Sequence, residues 1–196
     1  MRKASKRLVA DITETLCDAD CSLLFVNQDK VLDGFADGHF SASEKALEVA
    51  TDKEESLWVP VLAHEFAHFN QWAEGKYNDA DKVTNRFFSA VDSFRYDGLT
   101  KDRCFLQSIE QDADKRGLQI LEEYGWIEND RERDNFIFSS NMQICLLAWI
   151  DKYLKHPMVE LTLESYKALK ESFESGFLPE ELVNNPPEEF WNYVKP

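Results

Sequence analysis

The chain has 196 residues, 43% hydrophobic and 13% aromatic, enough to bury a core within a single domain. Lys and Arg number 22 against 37 Asp and Glu, a net charge of −15 at pH 7, which argues against the basic face that nucleic-acid binding requires. No apolar run is long enough to span a membrane, and no signal-peptide core follows the basic residues Arg2, Lys3, Lys6 and Arg7, so a cytoplasmic protein is expected.

Leu8, Ile12 and Leu16 repeat at helical spacing and predict an amphipathic helix from Ser5 to Ala19. Cys17 and Cys21 lie on it or at its end. Their C-x-x-x-C spacing is not the usual zinc spacing, so these, Cys104 and Cys145 are read as free thiols. Ser22 to Asn27 is a short apolar run, a strand. Turn signals at Asp33-Gly34 and Asp37-Gly38 set off two more strands, Gly38 to Ser41 and Lys45 to Thr51. A small antiparallel sheet is therefore expected, with Lys45 to Thr51 at its edge. His39, within it, reads as a structural or exposed histidine.

A helix then begins near Ser56 to Pro60, with proline in its first turn, and stops at Gly75. Asn78 to Asp97 and Cys104 to Tyr124 follow as helices. Asn135 to His156 reads as a central core helix and Thr162 to Ser175 as another amphipathic one. The proline-containing tail from Gly176 is anchored by Phe190, Trp191 and Tyr193.

The chemistry lies in His64-Glu65-Phe66-Ala67-His68. Two histidines four apart on a helix share one face and can chelate one metal ion, while the glutamate between them can act on a water held there. A catalytic zinc takes three protein ligands and leaves a position open. The candidates for the third ligand are Glu110, Asp112 and Asp114, on one downstream helix. Glu110 and Asp114, one turn apart, suit a division of labour: Glu110 on the metal, and Asp114 accepting the free ring N–H of a ligand histidine. Arg116 is a second possible partner for that acid.

H-E-F-A-H followed by E-Q-D-A-D resembles the gluzincin branch of zinc metallopeptidases, whose third ligand is a glutamate on a later helix. The absence of an H-x-x-G-x-x-H extension separates it from metzincins. W-V-P-V-L-A-H-E-F-A-H-F-N-Q-W, E-Q-D-A-D-K-R, N-M-Q-I-C and F-L-P-E-E-L are also similar to small zincin-like proteins encoded by tailed phages, from about residue 22 to residue 183. The likeness departs at Asp112-Ala113-Asp114, where those proteins carry D-C-E. The resemblance implies an α+β, zincin-like fold: one domain, 1–196, with an α/β part over 1–75 and a helical part over 76–196. It implies a zinc-dependent metallopeptidase acting on a protein or peptide, with Glu65 catalytic, His64, His68 and Glu110 on zinc, and Asp114 behind them. For the oxyanion, His156, Tyr153, Tyr166 and Arg116 are all candidates. The competing expectation is a catalytically silent binding module in which zinc is structural.

Overall fold

The computed structural model describes residues 1–32, 36–76, 80–92, 99–137 and 139–141. The protein is α+β, in the order α1 (Lys3–Asp18), β1 (Ser22–Val26), β2 (Gly38–Ser41), β3 (Ala46–Ala50), α2 (Glu55–Ala73), α3 (Ala80–Asp92) and α4 (Leu99–Glu123). It clusters into two compact units, one of residues 1–77 and 113–133, the other of 78–112 and 134–196. The unbroken helix α4 contributes to both. Residues 130–137 and 139–141 are helical. The rest of the core helix expected to reach His156, the helix expected over 162–175, the tail, the Asp33-Gly34 turn and Cys145 lie outside the described residues. No described helix is long and apolar enough to cross a membrane.

In the first unit the three strands form one sheet in the order β1-β3-β2. Two expectations are corrected here. The sheet is mixed, because β1 pairs with β3 in parallel (Ser22↔Ala46 to Val26↔Ala50) while β2 pairs with β3 antiparallel (Gly38↔Val49 to Ser41↔Ala46). The strand placed at the edge, β3, is instead the centre. The physical reason is the long link 27–37, which carries the chain across to the far side before the tight 42–45 turn folds β2 back on β3. Turn signals alone cannot distinguish that crossover from consecutive hairpins.

Side chains alternate across the pleat. Leu47 and Val49 of β3 are fully buried, and Phe40 and Gly38 share their face. α2 packs there: Phe40 meets Phe69, Phe25 meets Trp58 edge-on, and a side chain at Gly38 would stand 2.6 Å from Val61 Cγ1. The opposite face carries His39 across from Glu48, both half-buried.

α2 is longer at its start than the sequence suggested, so Pro60 lies inside the helix rather than in its first turn. The extra turn is held from outside. Glu55 accepts bonds from the Arg2 backbone N–H and the Ser5 hydroxyl of α1. The other end follows expectation: Gly75, at φ +71°, closes the helix with Gly75 N–H bonded to Trp72 O and Lys76 N–H to Gln71 O. Both bonds satisfy carbonyls that the helix end would otherwise leave unpaired. Gly125 ends α4 in the same way, through Glu122 O and Leu121 O. α1 buries the expected stripe of Leu8, Ile12 and Leu16. Tyr124, just past α4, ties to it by donating to Asp11 at 2.8 Å.

α4 starts earlier than its apolar stripe predicts. Its first turn, L-T-K-D, has no periodicity, but Asp102 there takes a two-pronged bond from Arg86 of α3, which holds its carboxyl below the usual range. The free cysteines among the described residues are Cys17, Cys21 and Cys104.

One glycine sets how closely α4 approaches α2. A Cβ at Gly117 would lie 3.3 Å from His64 N and 3.4 Å from His64 Cα, backbone atoms that cannot rotate away. Gly117→Val is expected to destabilise the fold by about 1–3 kcal/mol through overpacking. It would also push Asp114, on the same face one turn earlier, off His64. Urea unfolding measures the first effect; an unchanged midpoint would show that the helices are not in contact here.

Candidate metal centre

His64 and His68 stand mid-helix on α2, where backbone geometry fixes their relation. Their rings meet edge to face with centroids 4.6 Å apart, and the two Nε2 atoms are 3.0 Å from each other. The other nitrogen of each ring is engaged. His64 Nδ1 lies 2.8 Å from Asp114 Oδ1 of α4, and His68 Nδ1 lies 2.9 Å from Gln71 Oε1, one turn on. Carboxylate and amide oxygens only accept, so each Nδ1 is the donor, and in neutral rings each Nε2 is left with a lone pair. Two lone pairs aimed at one another at 3.0 Å repel unless a cation lies between them.

The structure also brings Glu110 to this point. One ligand atom from each of His64, His68 and Glu110 lies within 4.8 Å of the other two, a group that could hold a metal ion. Glu110 stands one turn before Asp114 on α4, so the helix carries both to the same side. Of the three acids proposed from the sequence, Asp112 is not in this group. The donor set fits a tetrahedral metal with one position left over: two imidazole nitrogens bound at ~2.05 Å would sit about 3.3 Å apart, close to what is found.

Asp114 is only 3% exposed, and its second oxygen, Oδ2, is buried with no hydrogen-bond partner among the described residues. A buried carboxylate satisfied on one side only is costly unless positive charge is near. Metal bound across the imidazole would supply that charge. Asp114→Ala is therefore expected to weaken metal binding by about 10–100-fold, as loss of an outer hydrogen bond to a ligand histidine does. Competition with a chromogenic chelator measures it, and unchanged affinity would remove Asp114 from the site.

Arg116 does not serve Asp114, as the sequence allowed, but clamps Glu74 at 2.7 and 2.9 Å. The two-pronged bond holds the Glu74 carboxyl below its ordinary value and ties α4 to the end of α2. The other oxyanion candidates, His156, Tyr153 and Tyr166, lie outside the described residues.

Glu65 packs against β2 of the sheet. It is 8% exposed, and its Cγ would be 2.8 Å from a Cβ at Gly38. Among the described residues it makes no hydrogen bond or ion pair. Gly38 is thus the residue that lets β2 lie directly over Glu65. Comparison of the chain with family models, with curated proteins and with solved structures finds no match. The functional reading consequently stands on the geometry and on the motif.

Two contributors were not singled out from the sequence. Gln71 was detectable: it stands three residues after His68, so it shares its face. Gly117 gave no signal beyond lying in the apolar stripe of α4, because a close approach between helices depends on the partner surface.

Proposed function

We propose that the protein is a zinc-dependent metallopeptidase of zincin-like architecture, with His64, His68 and Glu110 as the metal ligands. The observation that carries this reading is the convergence of two imidazole lone pairs 3.0 Å apart beside the Glu110 carboxylate, with both remaining ring nitrogens already occupied. Nitrogen and oxygen donors in a set of three suit zinc, with room for a water or substrate. Zinc held there would supply Lewis acidity, lowering the pKa of a water and polarising a carbonyl.

The chain's own residues would do the rest. Asp114 and Gln71 hold the two imidazoles in the tautomer that offers Nε2. Among the described residues none bonds the Glu65 carboxylate, which suits it to take the proton of the attacking water and return it to the leaving amine. An extended peptide would lie along β2, the strand over Glu65, rather than along β3 as the sequence suggested. Its backbone would then pair with the outer edge of β2, the end of the described sheet.

Purified protein reconstituted with zinc and incubated with a denatured-proteome peptide library tests this. Cleavage products identified by mass spectrometry are expected. They should disappear after treatment with a chelator and return on adding zinc. Stoichiometric zinc with no products under any of these conditions would instead favour a binding module with structural zinc.

A further inference from the structure

We propose that Trp72, with Phe40 beside it, is the specificity-determining surface of this site, selecting a large apolar side chain on the N-terminal side of the bond to be cut. The inference rests on the metallopeptidase reading. It deepens that reading by assigning a substrate class.

Trp72 stands one turn beyond His68 on α2, on the side that faces β2. It forms a triangle of rings with Phe40 of β2 (5.8 Å) and Phe69 (5.9 Å), and Phe40 and Phe69 close it at 5.7 Å. Phe69 is buried at 3% exposure and Phe40 is half-buried, but Trp72 is 37% exposed. The triangle is therefore a built apolar shelf with its outer ring open to solvent, next to the metal ligands.

The strand beside it can orient a peptide over that shelf. The Ala50 N–H bonds Asp37 O at 2.9 Å, so in the β2–β3 register the residues bonded to β3 are Asp37, His39 and Ser41. The alternate residues, Gly38 and Phe40, turn their N–H and C=O to the outer edge, and no other described residue takes them. A peptide adding antiparallel to that edge pairs with Gly38 and Phe40. Directly opposed residues in such a pair present side chains on the same face, here the α2 face. The peptide residue opposite Phe40 would thus set its side chain against Trp72. It precedes by two the residue opposite Gly38, over Glu65. The shelf reads the peptide upstream of the reacting bond, and a ring or branched aliphatic chain there would cover the exposed indole.

Zinc-loaded protein titrated calorimetrically with acetyl-tripeptide hydroxamates tests this, because a hydroxamate binds the metal without being cut. The probes carry Phe at each of the three positions in turn, in a glycine background, with the all-glycine compound as reference. One Phe position is expected to bind about tenfold more tightly than the reference, as burial of an aromatic side chain predicts. Trp72→Ala should abolish that gain while keeping zinc and the affinity for the all-glycine probe, and Trp72→Phe should retain most of it. No gain at any position, or a gain that survives in Trp72→Ala, overturns the shelf while leaving the metal site intact. If no hydroxamate binds zinc-loaded wild type, the metallopeptidase reading falls, and this proposal with it.

Discussion

Replacing Glu65 by Gln is expected to leave zinc bound and to lower hydrolysis by about 10²–10⁴-fold, the usual contribution of a general base. The substitution is nearly isosteric, which matters because the side chain is buried against Gly38. Glu65 belongs to none of the hydrogen bonds that orient His64 and His68, which run instead to Asp114 and Gln71. Loss of the carboxylate should therefore remove the proposed proton acceptor without disturbing the proposed ligands. The measurement is zinc content by mass spectrometry beside cleavage rate on an identified product. An unchanged rate would dismiss Glu65 as the base. Loss of zinc together with rate would mean that it supports the metal instead.

Glu110→Ala is expected to weaken zinc binding by more than about 100-fold, beyond the range typical of outer-sphere contacts. The two histidines would remain on α2, but only two of the three proposed donors would be left. Their Nε2 atoms already lie 3.0 Å apart, so the pair is preset for a shared cation, and Glu110 adds the anionic donor. Because α4 is continuous from Leu99 to Glu123, truncating one side chain should leave the helix in place. Chelator competition against wild type and Asp114→Ala ranks the contributions, with Glu110 expected to have the larger effect. Zinc affinity undiminished in Glu110→Ala would move the third ligand elsewhere.

Much of the first unit was legible in the sequence because it is governed by local rules. The stripe Leu8, Ile12 and Leu16 is buried as a helical period requires, and the strand at Gly38–Ser41 stands where the turn signals put it. Gly75 ends α2 because only a residue at ease with positive φ can close the last turn there. The start of α4 was less legible. Its first turn is polar and is held by Arg86 to Asp102, a contact with another helix. Strand pairing failed for a related reason: whether β1 adds to β2 or passes it to reach β3 depends on where α2 and the link 27–37 leave room.

The site divides in the same way. The sequence by itself determined that His64 and His68 share a helix face with Glu65 between them, since helical periodicity admits no other arrangement. It also placed Glu110 and Asp114 one turn apart on a second helix. Only the tertiary structure decided which acid lies with the histidines and which hydrogen-bonds to one, that Arg116 turns to Glu74 instead, and that β2 rather than β3 overlies Glu65. The physical reason is that these choices are set by how closely α2 is approached. Two glycines without side chains, Gly117 from α4 and Gly38 from β2, allow that approach, and the space a missing side chain leaves is defined only by what packs into it.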